Sequence, residues 1–315
     1  MARILANDGL HPAGKALLEE AGHEVVTDKI PQDDLKKELP AFDSIIVRSA
    51  TKVRAELIDA CPDLKVIARA GVGLDNIDVS YAESKGIRVI NTPAASSRSV
   101  AELVFAHLLT VSRFVHLNNR EMPVRGKDDF KSLKKESSKG IEMMGKSIGI
   151  VGFGRIGQEV AKIALGFGMT INAVDPFVNE TTLELNIGGK KLDVDISTIE
   201  MDELLKTSDF ITLHVPFSGG KPIIGSEELA MMKDTAVIVN ASRGGVVDEA
   251  ALLDALEKGI ILGAGLDVFV NEPTPSAEVL AAKNISLTPH IGASTGQAQE
   301  NIGTELARKI IALLS

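Results

Sequence analysis

Ser147-Ile-Gly-Ile-Val151-Gly152-Phe-Gly154-Arg155-Ile156-Gly157 is an apolar run of strand length that ends in three glycines at G-x-G-x-x-G spacing. A helical pattern over 155–167 opens inside the glycines. Each glycine meets a separate demand. Gly152 permits a tight strand-to-helix turn, Gly154 lets backbone approach a pyrophosphate, and Gly157 lets helix and strand pack closely. Free N–H groups at the helix start attract phosphate oxygens. A lone G-x-G-x-x-G is weak, because a plain glycine-rich turn also satisfies it. Here the strand before it, the helix after it and an acid beyond it are all present. The acid is Asp175, 18 residues past Gly157, at the end of the next apolar run, 170–174. A carboxylate there can accept both ribose hydroxyls of NAD and would repel a 2′-phosphate. No Arg or Lys follows it until Lys190, which favours NAD over NADP. The plainer alternative leaves Asp175 as a capping or solvated residue.

Outward from this motif, short apolar runs alternate with amphipathic stretches. Before it, 3–6, 24–27, 44–47, 65–68 and 88–90 read as strands, with helical patterns such as 12–21 and 54–60 between them. From 147 on, strands are expected at 147–151, 170–174, 210–213, 236–240, 263–266 and 285–287, with helices at 155–167, 201–207 and 249–258. Such β-α-β order implies α/β architecture with parallel sheets covered on both faces. Between the series, 97–119 is long, apolar on one face and free of Gly and Pro, so one linking helix is expected there. The polar, Lys-rich segment 125–140 reads as solvated surface. The last stretch, 297–314, is again helical, with Ile302, Leu306, Ile310 and Leu313 in register. The expected division is 1–97 with 291–315 as one domain and 98–290 as another.

The 315 residues suffice for two domains, and 44% are hydrophobic, enough for substantial cores. Net charge is 34 − 43 = −9. An acidic chain without Trp is a poor nucleic-acid binder, since phosphate neutralisation needs a basic face. Cys61 is the single cysteine, so no intramolecular disulfide can form. No run approaches the length of a membrane span, and the start does not read as a signal peptide. A cytoplasmic location is the default expectation, and no metal site is expected.

Three further segments follow apolar strands: Asn240-Ala241-Ser242-Arg243-Gly-Gly, Asp267-Val-Phe-Val-Asn-Glu272-Pro and Pro289-His290-Ile-Gly292-Ala293-Ser294. In a parallel sheet the strand C-terminal ends line the ligand crevice, so all three point to the edge that carries the glycine loop. An Arg can bind a carboxylate or polarise a carbonyl. A His can give and take a proton near neutrality. A Glu beside that His would hold its tautomer and stabilise its protonated form. Taken singly, each has a plain structural reading: His290 as a loop residue, Arg243 as an ion-pair partner, Glu272 as a loop carboxylate. Convergence on one crevice is what favours carbonyl chemistry. His11, His23, His107 and His116 are expected on helix or strand surfaces away from it. His214 follows a strand, where its backbone can reach the adenine.

These segments resemble the D-isomer-specific 2-hydroxyacid dehydrogenases, most closely the branch that oxidises phosphoglycerate. The resemblance also covers Ile46-Val-Arg48-Ser49-Ala-Thr-Lys-Val, Arg69-Ala-Gly-Val72-Gly73-Leu-Asp75-Asn-Ile-Asp78, Asn91-Thr-Pro, Ser99-Val-Ala-Glu102-Leu, His214-Val215-Pro216 and Val246-Val-Asp248. It implies two doubly wound parallel-sheet domains, a Rossmann-type NAD domain inserted in a flavodoxin-like substrate domain. It implies Arg243, Glu272 and His290 as the catalytic set and NAD as cofactor, in a cleft that closes on substrate. The implied cofactor contacts are Gly152, Gly154, Arg155, Ile156, Gly157, Asp175, His214, Val215, Pro216, Ala241, Ser242, Arg243, Asp267, Gly292 and Ala293. The substrate carboxylate would meet backbone at Val72 and Gly73, and a homodimer through the nucleotide domain is implied.

Arg48, Ser49 and Arg69 follow first-domain strands, where they could hold a substrate phosphate. The alternative pairs these basic residues with local acids such as Asp43 or Asp75. Phosphoglycerate oxidation is therefore the expected activity, with hydroxypyruvate or glyoxylate reduction as the enzymatic alternative. An NAD-sensing, corepressor-like scaffold is the non-enzymatic one. Ser96, and the loop Ser218-Gly-Gly-Lys221 with no Thr after His-x-Pro, depart from the usual pattern of the family. The chain ends at Ser315, so feedback by serine through an appended regulatory domain is not expected.

Overall fold

A computed structural model of the chain describes residues 1–217 and 219–314. Ser218 and Ser315, named above, lie outside the described residues. The chain divides into two compact units, Met1–Ser99 with Ala293–Ser315, and Val100–Gly292.

The first unit holds β1 (Arg3–Ala6), β2 (Glu24–Val26), β3 (Ser44–Val47), β4 (Val66–Arg69) and β5 (Arg88–Asn91). They form one parallel sheet in the order β2-β1-β3-β4-β5. That is the flavodoxin-like order. Helices cover both faces, so β3 is buried at every position. On one face, Ile302, Leu306 and Ile310 of the helix Gly296–Leu314 pack against Ile4, Ile46 and Val66.

The second unit carries β6 (Ser147–Val151), β7 (Thr170–Val174), β8 (Glu180–Ile187), β9 (Lys190–Ser197), β10 (Phe210–Leu213), β11 (Val237–Asn240), β12 (Gly263–Leu266) and β13 (Ile285–Leu287). Six form a parallel sheet in the order β13-β12-β11-β10-β6-β7. A single parallel bridge, Ala173 with Thr198, stands where a further strand would flank β7. Counting that bridge gives the Rossmann order 3-2-1-4-5-6, with β13 as a seventh strand beyond β12 and the topological switch between β6 and β10. Two cores fill the faces. Ile148, Ile150, Val237 and Val239 meet the helices Ser97–Ser112 and Arg155–Gly166 on one side. Ile211, Leu213, Ile238 and Leu252 lie on the other.

Three features differ from the sequence expectation. The helix expected over 97–119 breaks into Ser97–Ser112 and Val115–Arg125, with Phe114 left-handed at φ 54°. The Ser112 carbonyl accepts the Ile141 N–H at 2.9 Å instead of continuing the helix ladder, so a tertiary contact stops a helix that no Gly or Pro stops. Within the polar stretch 125–140, Phe130–Glu136 is helical and anchors itself through buried Leu133. Finally, β8 and β9 pair as an antiparallel hairpin with Ile187 opposite Lys190. Gly188 and Gly189, both at positive φ, make its two-residue turn. The Gly-Gly between alternating Leu183, Leu185, Leu192, Val194 and Ile196 is a legible hairpin signal in the sequence. Among the described residues, no single helix is long and apolar enough to cross a membrane.

Candidate active site

The glycine loop leaves β6 where the sequence places it. Gly152 has φ 92°, and a Cβ there would sit 2.5 Å from the carbonyl oxygen of His214. At Gly157 a Cβ would run into the Gly152 carbonyl, whereas a Cβ on Gly154 would meet only open space. Turn, helix packing and ligand approach are thus separated among the three positions. Asp175 ties the region together. One carboxylate oxygen accepts the Phe153 N–H and the other the Phe177 N–H, both at 2.8 Å. A mostly apolar cavity of about 330 Å³ adjoins the loop, lined by Gly152, Val174, Pro176, Leu205, Val215 and Met231. Its place at the switch point and its apolar walls fit an adenine ring. Arg155 and Pro216 are exposed beside it, and Ile156 is half-buried. The His214 ring pairs with the Thr212 hydroxyl, and burial pushes its pKa well down, so its backbone rather than its charge faces the glycine loop.

After β11, Asn240 organises the next loop. Its side-chain oxygen accepts from the Ser242 N–H and hydroxyl, and its amide donates to the Arg243 carbonyl at 2.8 Å. This closed turn presents the Arg243 side chain, one of whose N–H groups donates to the Ser242 carbonyl. A Cβ on Gly244 would collide with the Phe269 carbonyl, so only glycine lets this loop approach the loop after β12 so closely. In that second loop the Phe269 N–H donates to one Glu272 oxygen at 2.9 Å. The other Glu272 oxygen lies 2.7 Å from His290 Nδ1. Burial alone would raise the Glu272 pKa. The His290 hydrogen bond, the Phe269 N–H and the charges of His290 and Arg243 outweigh burial and hold it below the ordinary 4.5. Glu272 thus meets His290 directly and feels the charge of Arg243, the three coming from separate strand-end loops.

A carboxylate is acceptor-only, so the neutral imidazole carries its proton on Nδ1 and offers an unprotonated Nε2. His290 itself is left-handed, at φ 54°, a conformation costing about 1–3 kcal/mol in a non-glycine residue. Asp267, buried after β12, over-determines that turn. One of its oxygens accepts from the Thr288 hydroxyl and the Ile291 N–H at 2.8 Å, and the other from the Gly292 N–H at 2.9 Å. Its carboxylate is thus engaged with the chain on both sides of His290.

In the first unit, Arg48 follows β3, and its N–H donates to Asp8 at 2.7 Å, as do the Thr51 N–H and hydroxyl. With Lys29 and Ser49, Arg48 lines a cavity of about 400 Å³. Asp43, one acid weighed as its partner, is taken by Lys65 and the Arg3 N–H. Arg69 turns back to donate to the Ala70 carbonyl. Asn91 holds the next loop by donating to the Val72 carbonyl at 2.7 Å, with Val72 exposed and Gly73 half-buried. Ala293 falls in this unit, apart from Gly292.

One histidine is corrected. His107, expected on a surface away from the crevice, is buried, and its ring meets Ser286 and Thr288. His116 is half-buried, with one ring nitrogen against the Lys283 carbonyl. The sequence signal for His107 lay in the strand period. Residues 286 and 288 share one face of β13 and its extension, two residues from His290.

Residues 105–292 match the family model described as D-isomer specific 2-hydroxyacid dehydrogenase, NAD binding domain. The chain belongs to this family. It is 45% identical to a hydroxypyruvate reductase of Thermotoga maritima, over 98% of this chain and 97% of that one. It is 43% identical to a D-3-phosphoglycerate dehydrogenase of Methanocaldococcus jannaschii, over 98% of this chain but 57% of the relative. The chain thus spans a little over half the length of that dehydrogenase. NAD+-bound 3-phosphoglycerate dehydrogenase of Entamoeba histolytica superposes with TM-score 0.78 at 28% identity, covering 99% of this chain and 95% of that one. The chain is accordingly an NAD-dependent D-2-hydroxyacid dehydrogenase.

Proposed function

We propose that the chain oxidises D-3-phosphoglycerate to 3-phosphohydroxypyruvate, with His290 as the group that takes the hydroxyl proton. The observation that carries the chemistry is the 2.7 Å pair of His290 Nδ1 and Glu272, under the charge of Arg243. His290 Nε2 accepts the proton of the C2 hydroxyl. Glu272 orients the ring and stabilises its protonated form. Arg243 binds the carboxylate or the developing carbonyl oxygen and so aligns the reacting carbon. NAD, which the glycine loop and Asp175 would hold, would supply the hydride acceptor. The residues fit that group: Gly154 leaves open space, and an apolar cavity lies beside Gly152. Positioning of this kind contributes up to about 7–11 kcal/mol of barrier reduction in favourable cases.

The phosphate is assigned to Arg48, Ser49 and Arg69, and the substrate carboxylate to the backbone at Val72 and Gly73. Support comes from the cavity at the β1 and β3 ends, where Lys29 and Arg48 outnumber Asp8, whose carboxylate accepts from the loop after β3 and lies 3.9 Å from the Lys29 ammonium. Hydroxypyruvate reduction is the second reading, favoured by full-length similarity to the Thermotoga reductase. Purified protein given 3-phosphoglycerate and NAD is expected to form NADH. No NADH from 3-phosphoglycerate together with fast NADH consumption on hydroxypyruvate would replace the first reading by the second. A homodimer through the nucleotide-binding unit is part of the proposal. Exposed Val115, Val124 and Phe130 support it, and light scattering should report roughly twice the chain mass of 33.4 kDa.

A further inference from the structure

Behind His290 runs a series of side chains, buried but for half-buried Thr288, that the reaction as described does not use. The helix Ser97–Ser112 lies on β12 at two glycines. A Cβ on Gly265 would collide with His107, and one on Gly263 with Val111. The imidazole of His107, 2% exposed, is seated in that notch. Its Nδ1 is 2.9 Å from the Ser286 hydroxyl, and its Nε2 is 3.0 Å from the Thr288 hydroxyl. Thr288 is in turn 2.6 Å from Asp267.

Donor and acceptor rules then fix every proton in the series. Asp267 accepts only, so the Thr288 hydroxyl must donate to it and has a lone pair left for His107. Nε2 of His107 must therefore carry a proton. Burial, offset in part by the charge of Asp267, keeps the ring below its usual pKa and so neutral, which leaves Nδ1 to accept from Ser286. The order is Ser286 O–H to Nδ1, Nε2–H to Thr288, and Thr288 O–H to Asp267. Asp267 also holds the N–H groups of Ile291 and Gly292, so the series ties the Thr288 side chain, before left-handed His290, to the backbone just after it.

We propose that His107 is a positioning residue for proton transfer at His290. As a fixed Nε2–H donor it orders Thr288 onto Asp267 and thereby holds the His290 turn. The proposal rests on the reading of His290 as the acid/base. A loop of this kind must hold its side chain within about 0.5 Å to be productive, and partners behind it do that work.

Two measurements on the full chain test it. In long-range proton–nitrogen correlation spectra of histidine-labelled protein near neutral pH, His107 should show the Nε2–H tautomer. An Nδ1–H tautomer would overturn the proposal. In kinetics, His107→Leu should lower kcat about tenfold while KM for NAD stays within about twofold. His107→Gln, whose amide can donate to Thr288, should recover most of that loss. If the leucine variant does not fold, Thr288→Val removes the same link and should show the same split. Wild-type kcat in either variant would overturn the proposal. Undiminished turnover in His290→Asn would instead sink the acid/base reading, and the tautomer measurement would still stand on its own.

Discussion

The glycine loop after β6 and the His290 turn after β13 both leave one parallel sheet at its C-terminal edge, yet they are built by opposite means. The first is shaped by missing side chains. Gly152 and Gly157 let backbone approach backbone, and Gly154 opens onto space. The second is shaped by side chains that are present. Asp267, Thr288 and Glu272 hold a non-glycine residue left-handed with directed hydrogen bonds. The contrast follows from the tasks assigned to them. A diphosphate is bound by N–H groups that need only be exposed, whereas a proton-transfer atom must be aimed.

The comparison is broken most directly at His290. His290→Asn should reduce turnover by about 10²–10⁴-fold while leaving NAD affinity, measured by titration calorimetry, nearly unchanged. Parallel loss of NAD binding would show that the two regions are not separable. Next comes Asp175→Ala, which should erode the preference for NAD over NADP by at least about tenfold, read as the ratio of kcat/KM values. An unchanged ratio would remove Asp175 from the ribose.

Smaller effects sharpen the contrast. Asp267→Asn turns an acceptor into a donor facing the Gly292 N–H, leaving buried donors unpaired at a cost of about 1–3 kcal/mol. Thermal unfolding should fall by several degrees, and kcat with it. Gly154→Ala should leave stability almost unaltered and weaken NAD instead. The least effect is a pH dependence. The Glu272 carboxyl is held below 4.5 in the folded chain, so its stabilising contribution is complete above that value and fades as pH falls through the folded pKa. The difference in Tm between wild type and Glu272→Gln should therefore be constant above about pH 5 and shrink in more acid solution. A difference that grows on acidification would reverse the assigned sign.

Much of this was legible because the relevant forces are local. Strand and helix periods expose which face is buried, and the G-x-G-x-x-G with Asp175 states a backbone requirement within 24 residues. Boundaries of β1, β3, β6, β7, β10, β12 and β13 needed no tertiary information. The break after Ser112 was different, because the Ile141 N–H that competes for its carbonyl lies 29 residues away. The hairpin of β8 and β9 was written in its Gly-Gly turn but hidden by the parallel pattern around it.

The chain alone determined which chemistry stands at each strand end: an Arg after β11, an acid and a Glu after β12, a His after β13. Only the folded sheet decided that Asp267 faces inward to the His290 turn, and that His107, 183 residues earlier, stands behind it. Residue type and period are properties of neighbours along the chain. A hydrogen bond between residues far apart in sequence depends on helix placement, which two glycines of β12 settle by leaving room for Val111 and for an imidazole.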